Sequence, residues 1–165
     1  MKYFNIETDN MQNGPGLRVI LWVSGCSHHC KGCHNPETWN SNLGKNFDFN
    51  SFADINQKIS KDYISGITYS GGDPLYDTNV NMIHYISSFI RKTYPTKTQW
   101  LYTGYRYEDI LKSKMRKEIL KYVDVLVDSK FDINLKDTSL LYRGSSNQRI
   151  IKVQESLKKD KIILW

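Results

Sequence analysis

The chain has 165 residues, of which 39% are hydrophobic and 13% aromatic, so it can bury a core and is not intrinsically disordered. Its net charge of +6 is compatible with an acidic partner or with a solvated lysine-rich surface. The basic clusters at 112–117 and 156–161 contain no aromatic residues for direct nucleic-acid binding, so we favour the solvated surface. No apolar run suits a membrane span or a signal peptide, so we expect a cytoplasmic protein.

Short apolar segments alternate with helix-like patterns along the chain. The predicted strands are rich in β-branched and aromatic residues and lie at 18–24, 66–70, 98–103, 123–128 and 149–153. Apolar residues that recur at steps of three and four predict helices at 51–63, 78–93 and 107–121. Asp77 and Thr78 are the N-cap candidates for the second helix.

The alternation of strands and helices predicts an α/β fold with right-handed crossovers. A complete eight-stranded barrel takes about 250 residues. The predicted fold is therefore an open, partial (β/α) barrel of about five or six mainly parallel strands. No repeat or linker divides residues 1–165, which we expect to form a single domain, and the tail 152–165 receives no assignment. Functional groups should gather at the carboxyl ends of the strands.

The segment "SGCSHHCKGCHNP" at 24–36 contains all three cysteines of the chain, Cys26, Cys30 and Cys33. Its two glycines and its proline argue against a long helix and predict a loop wrapped around a ligand. In a reducing compartment, clustered thiols indicate metal or redox chemistry rather than disulfides.

Several interpretations of the three thiols compete. Structural thiols would more often be scattered through the core. A zinc site needs a fourth ligand, for which His28, His29 and His34 are available, and usually a second ligand pair farther along, which is not seen. An iron–sulfur cubane is normally held by four thiolates, so three thiolates leave one iron open to an external ligand. The last interpretation explains why there are only three cysteines, because the open iron is the position at which an external ligand binds.

The spacing C-x3-C-x2-C resembles the cluster motif of the radical S-adenosylmethionine enzymes. The resemblance implies a [4Fe–4S] cluster on Cys26, Cys30 and Cys33, with S-adenosylmethionine bound at the open iron and cleaved reductively to a 5′-deoxyadenosyl radical. Many members carry an aromatic residue before the third cysteine, where this chain has Gly32. The resemblance therefore implies that the cofactor contacts the backbone at Gly32 and Cys33, with His34 alongside.

The segment "SGGDP" at 70–74 stands at the end of a predicted strand. Its adjacent glycines allow a ligand to approach the backbone closely, although an ordinary turn is an equally good interpretation of the segment alone. Beside the cysteine motif it resembles the Gly-Gly-acid-Pro segment of the same family. That resemblance implies that Gly72 contacts the methionine part of the cofactor, with Gly71 and Asp73 supporting the loop.

The segment "VDSK" at 127–130 resembles an Asp-x-Lys element of some activating enzymes. The resemblance implies that Asp128 and Lys130 hold the charged end of the cofactor or the substrate backbone, while a strand-end salt bridge is the alternative. Some relatives have a cation-binding aspartate near the end of the third strand. This chain has Tyr102 and Thr103 there, so we predict no cation site.

Three further segments narrow the resemblance: "NGPGLR" at 13–18, "WLYTGY" at 100–105 and "LYRGSSNQRII" at 141–151. The Gly-Pro-Gly turn resembles a signature of enzymes that install glycyl radicals. Together these segments resemble the activating proteins of anaerobic (class III) ribonucleoside-triphosphate reductases. The resemblance implies an oxidoreductase that removes the α-hydrogen of a glycine in the reductase large subunit, and a low-potential electron donor such as flavodoxin.

Other functions remain open at this point. The chain could activate a different glycyl-radical enzyme, act as a small radical enzyme on a soluble metabolite, or be a non-enzymatic zinc or nucleic-acid-binding module. No acid–base pair, nucleophile triad or phosphate-binding loop is visible, so we predict no catalytic side chain beyond the cluster ligands.

Overall fold

A computed structural model of the protein describes every residue from 1 to 165. The seven strands are β1 (Lys2–Asn10), β2 (Arg18–Val23), β3 (Lys45–Asn46), β4 (Gly66–Gly71), β5 (Thr98–Tyr102), β6 (Val125–Asp128) and β7 (Arg149–Lys152). The five helices are α1 (Phe49–Ile59), α2 (Val80–Thr93), α3 (Tyr107–Lys112), α4 (Lys114–Leu120) and α5 (Val153–Lys159). None of these helices combines the length and apolar character needed to cross a bilayer.

The strands form one sheet in the order β3-β1-β2-β4-β5-β6-β7. The central strands β2, β4, β5 and β6 are parallel, whereas β1 pairs antiparallel with β2 and β3, and β7 pairs antiparallel with β6. The predicted α/β class and the open sheet are confirmed. The prediction of five or six mainly parallel strands is corrected to seven strands in a mixed sheet.

The parallel centre of the sheet follows from the helices that connect its strands, because a parallel pair needs a long crossover. The helix α1 lies between β2 and β4 in the chain, α2 between β4 and β5, and α3 and α4 between β5 and β6. All four residues of β6 and all but the last of β4 are buried. Helix α2 adds Ile83, Ile86 and Ile90 to the main apolar core. The five predicted strands are thereby confirmed, with ends shifted by no more than two residues.

Three details of the predicted helices are wrong. The first helix, predicted at 51–63, is Phe49–Ile59. Asp77 and Thr78 do not cap the second helix, whose N-cap is Asn79, and Asp77 instead forms an ion pair of 2.8 Å with Arg116. The third predicted helix is divided into α3 and α4 because Ser113 adopts an extended conformation. The apolar spacing runs through this break, so the periodicity could not reveal it.

The two ends of the chain complete the sheet in ways that the sequence analysis did not predict. Strand β1 is polar except for a few side chains, and only Ile6 in it is buried. After α5 the chain returns to β7, where the Lys152 amide donates to the Ile163 carbonyl and the Trp165 amide to the Ile150 carbonyl, both at 2.8 Å. The last residues of the tail, 163–165, therefore cover the open edge of β7.

Candidate cluster and cofactor site

The loops that follow the four parallel strands meet at one edge of the sheet, as predicted. A cavity of about 120 Å³ opens there, which we call the cysteine cavity. Cys26, Cys30 and Cys33 line it together with Gly71 and Gly72. The structure therefore brings the three thiols and the glycine pair, which are about 40 residues apart in the chain, to one place.

The three thiols are free and partly buried. The only hydrogen bonds of normal geometry to their sulfurs come from the amides of His28, to Cys26 Sγ, and Asn35, to Cys33 Sγ, both at 3.4 Å. Burial raises the pKa of Cys26 to about 11 and also raises the pKa of Cys30. A coordinating metal deprotonates a thiol, so binding of a metal here would release protons.

Backbone hydrogen bonds hold the two ends of the cysteine loop. The Gly25 amide donates to the Thr38 carbonyl at 2.7 Å, and the Cys26 amide donates to the Trp39 carbonyl at 3.0 Å. The Cys33 amide closes a turn on the Cys30 carbonyl at 3.1 Å. The loop thus has a fixed entrance and a turn at its far end, with the thiols between them.

The glycine pair brings the loop after β4 against the cysteine loop. The Gly72 amide donates to the Val23 carbonyl at 2.8 Å, and the Asp73 amide to the Gly25 carbonyl at 2.7 Å. A Cβ atom at Gly72 would lie 2.5 Å from the Gly25 carbonyl oxygen. The absence of a side chain at Gly72 is therefore required for contact between the two loops, in addition to any contact with a ligand.

Asp73 is the most heavily hydrogen-bonded residue of the site. Its carboxylate, in a residue only 1% exposed, accepts hydrogen bonds from the Leu75 amide at 2.8 Å, the Thr103 hydroxyl at 2.9 Å and the Gly104 amide at 3.0 Å. His28 Nε2 lies 2.8 Å from the same carboxylate. These four partners occupy the roughly four acceptor positions of a carboxylate. Asp73 thus joins the loops around the cavity through its carboxylate.

Asp128 takes part in a buried ion pair, but its partner is Arg149 and not Lys130. Arg149 Nε donates to Asp128 at 3.0 Å, and its two terminal nitrogens donate to Glu108 at 2.9 Å each. The Tyr107 amide also donates to Asp128, at 2.8 Å. Hydrogen bonding from Arg149 lowers the pKa of Glu108 to about 2, and both carboxylates raise the pKa of Arg149. Lys130 is exposed.

The sequence analysis did not assign Arg149 a role, although this residue belongs to the segment "LYRGSSNQRII" that it singled out. Arg149 stands 21 positions after Asp128 in the chain, and only the antiparallel pairing of β6 with β7 places the two residues opposite each other. The sequence signal that could have indicated this pair is an aspartate at the end of one predicted strand and an arginine at the start of the next.

Two larger cavities adjoin the cysteine cavity. One, of about 960 Å³, is lined by Lys130 and shares His28 and Gly104 with the cysteine cavity. The other, of about 410 Å³, is lined by His34 and shares Cys33. Both volumes fall in the range of small-molecule sites.

The remaining predicted residues are placed differently. Gly32 is exposed and lies against the side chain of Ile133, and neither Gly32 nor Asp128 lines any of these three cavities.

The donor set suits an iron–sulfur cluster. No three side chains of the His, Cys, Asp and Glu types are grouped so as to hold one metal ion. A mononuclear zinc site requires such convergence of its ligands on a single ion, whereas a cubane takes each thiolate on a different iron. Three free thiols around one cavity, without a fourth cysteine in the chain, fit a [4Fe–4S] cluster with one open iron.

Comparison with known proteins agrees with this chemistry. Residues 12–151 match the family described as a 4Fe-4S single cluster domain, which defines the chain as an iron–sulfur cluster protein. Similar proteins named anaerobic ribonucleoside-triphosphate reductase-activating protein occur in Enterobacteria phage T4, at 45% identity over 91% of this chain and 93% of that protein, and in Escherichia coli K12, at 41% identity over 90% and 96%. A third, from Pasteurella multocida, is 36% identical over 92% of this chain and 98% of its own length. The chain belongs to the family of anaerobic ribonucleoside-triphosphate reductase-activating proteins.

Proposed function

We propose that this protein is an oxidoreductase that activates an anaerobic ribonucleoside-triphosphate reductase by forming a glycyl radical on the reductase large subunit. The observation that carries the proposal is the convergence of three free thiols and a glycine pair on one cavity in a chain without a fourth cysteine. The names of the relatives support the choice of partner. A [4Fe–4S] cluster would supply the electron that cleaves S-adenosylmethionine to the 5′-deoxyadenosyl radical, which takes the α-hydrogen of the glycine.

The residues of the cysteine cavity fall into two groups, those that would bind the cluster and those that would contact the cofactor. Cys26, Cys30 and Cys33 would each bind one iron and leave the fourth iron to the amino and carboxylate groups of S-adenosylmethionine. Gly71 and Gly72 line the same cavity, so the backbone of this loop would contact the cofactor.

The other predicted residues receive roles that follow from their positions. Lys130 and His34 line the adjoining cavities, where they would contact the charged and aromatic parts of the cofactor. The backbone of Gly32 remains a predicted contact. Asp73 and Asp128 are saturated by protein donors, and we propose that they position the loops around the cofactor.

We further propose that the fold is a single radical S-adenosylmethionine domain in the form of an open, partial (β/α) barrel. The end strands β3 and β7 do not pair with each other, which supports this proposal. An open side is useful because the substrate glycine belongs to a large protein, whose loop must reach the cavity and displace water from it. A cytoplasmic location would keep the thiols reduced, and a flavodoxin-like donor would supply the electron.

Anaerobic reconstitution tests the proposal. The wild-type protein should take up about four irons and four sulfides per chain. After reduction it should cleave S-adenosylmethionine and, with the reductase, produce the electron paramagnetic resonance doublet of a glycyl radical. Cys30→Ala should lose both activities, while Glu37→Gln, at an exposed position just after the loop that lines none of the three cavities, should keep them.

The possible results separate the candidate functions. Cleavage of S-adenosylmethionine without a radical on the reductase would indicate a different glycyl-radical enzyme or a soluble metabolite as the substrate. Full activity in Cys30→Ala, or a mononuclear metal in the Mössbauer spectrum, would contradict the open-cubane site.

A further inference from the structure

His28 lies inside the cysteine loop, two residues after Cys26 and two before Cys30, yet it points away from the solvent. Its side chain is 8% exposed, and Nε2 lies 2.8 Å from Oδ2 of Asp73, whose side chain is 1% exposed. The neighbouring His29 is exposed and makes no hydrogen bond through its side chain. Both histidine rings pack on an aromatic ring, but only that of His28 is enclosed and hydrogen-bonded.

The imidazole of His28 is enclosed by the loop that follows β5. A Cβ atom at Gly104 would overlap the imidazole, so the ring rests directly on the backbone there. The ring of Tyr105 packs edge-on against His28, with 4.6 Å between centroids and 74° between planes. The position of the imidazole is thus determined by contacts on several sides.

The chemistry of the pair determines which nitrogen carries the proton. An ionised carboxylate can only accept hydrogen bonds, and Asp73 also accepts from the Thr103 hydroxyl and the Gly104 amide. His28 Nε2 must therefore carry a hydrogen and donate it to Asp73. The resulting network joins the loops after β2, β4 and β5 through one carboxylate.

This contact links the middle of the cysteine loop to the rest of the protein by a hydrogen bond, beside the packing of the His29 ring on Trp39. The loop entrance is held by the Cys26 amide, and the far turn is closed internally between Cys30 and Cys33. Among the side chains of residues 26–33, only that of His28 forms a hydrogen bond of normal geometry to a different loop. Without it, the segment between the first two thiols would have no such restraint.

We infer that His28 is a positioning residue that fixes the cysteine loop in its ligand-binding conformation before any cluster is present. This inference rests on the proposed function, because it takes Cys26 and Cys30 to be cluster ligands. Residues that orient metal ligands typically contribute about 10- to 100-fold to metal affinity. Asp73 and Gly104 act through His28, since the first accepts its hydrogen bond and the second leaves room for its ring.

Hydrogen exchange of the cluster-free protein tests the inference without any contribution from the metal. In His28→Leu, the amides of 26–33 should exchange about tenfold faster than in the wild type, as expected for loss of one hydrogen bond to a charged group. His28→Gln should restore most of the protection, because its terminal amide can donate to Asp73. Lys31→Gln is the control and should change nothing, because this side chain of the same loop is exposed and forms no hydrogen bond or ion pair.

A second readout follows the cluster itself. Reconstituted His28→Leu should lose iron to a chelator about tenfold faster or more, and His28→Gln should again recover. If His28→Leu does not fold, Gly104→Ala carries the same expectation, because its Cβ atom would overlap the same ring.

The two readouts keep this inference separable from the proposed function. Unchanged exchange at 26–33 in both His28→Leu and Gly104→Ala, or failure of His28→Gln to restore protection, would overturn the positioning role. A wild-type protein that takes up no [4Fe–4S] cluster would overturn the proposed function, while the exchange measurement would still decide whether His28 fixes the loop.

Discussion

The polar groups at the two ends of strand β2 differ in how completely their hydrogen-bonding capacity is used within the protein. At its start, the Arg18 guanidinium is fully buried and donates five hydrogen bonds of 2.8–3.2 Å to Thr68, Thr98, Ile67 and Pro15. Just beyond its end, the thiols of the cysteine loop line a cavity and accept few hydrogen bonds.

This difference separates structural from functional polar groups. All donors of Arg18 are satisfied by neutral oxygens of the chain, and the guanidinium also packs over the ring of Trp100 at 5.7 Å. Burial lowers the pKa of Arg18, but the group stays charged at neutral pH. A group whose hydrogen-bonding capacity is used entirely within the fold has none left for a ligand. The thiols accept few hydrogen bonds and therefore remain available to a ligand.

The largest effect on stability is expected from Arg18→Met. The substitution removes five hydrogen bonds to buried and partly buried oxygens, and each unsatisfied group is costly, so the free energy of unfolding should fall by about 3 kcal/mol. Chemical denaturation would measure the loss. Arg106→Met, at a side chain that is 64% exposed, is the control and should change stability by less than about 0.5 kcal/mol. Equal stabilities of the two variants would mean that the Arg18 network is not structural.

A smaller effect is expected from Gly72→Ala, which acts at the cysteine end. The added Cβ would meet the backbone oxygen of Gly25 at 2.5 Å, so the two loops must separate, at a cost of about 2 kcal/mol. Iron uptake during reconstitution should fall together with stability. Gly144→Ala is the control for stability. Its added Cβ would meet the Phe131 ring at 3.1 Å, which can move aside, so the loss of stability should be smaller. If both alanine variants take up iron like the wild type, the loop contact is not important for the site.

The smallest effect on stability is expected from loss of the ion pair between Arg149 and Glu108. This pair tests whether charged groups near the cysteine loop also stabilise the fold. The folded-state pKa of Glu108 is about 2, below the value of about 4.3 expected in the unfolded chain. Its stabilisation is therefore present above that unfolded value and is lost as the pH falls towards 2. Because the side chain is 44% exposed, solvent screening limits the contribution to about 1 kcal/mol or less.

Unfolding of Glu108→Gln as a function of pH measures this contribution. The wild type should be the more stable protein above about pH 5, and the difference should vanish at low pH. A difference that stays constant from neutral to acidic pH would show that the carboxylate charge is not its cause.

The sequence analysis succeeded where a pattern is local. Each of the five predicted strands is a continuous run of β-branched and aromatic residues, and burial in the sheet centre selects such runs. Strand β1 was missed because Asn, Asp, Glu and Lys disfavour strands in isolation. Its pairing with β2 places it in the sheet nevertheless.

The same division applies to the site. The spacing of Cys26, Cys30 and Cys33 is a property of one short segment, and it was sufficient to predict a cluster loop. The hydrogen bond from His28 to Asp73 joins residues 45 positions apart, and Arg149 meets Asp128 only because β7 turns back on β6. No spacing rule reveals which of two adjacent histidines is buried.

By itself, the amino-acid sequence determined the α/β class, the position of the cysteine loop and the kind of ligand that three thiols suit, because these depend on neighbouring residues. Tertiary structure alone decided the mixed order of the strands and the partners of His28, Asp73 and Asp128. Those partners come from separate crossovers, and a side chain is buried or exposed only once the loops that surround it have come together.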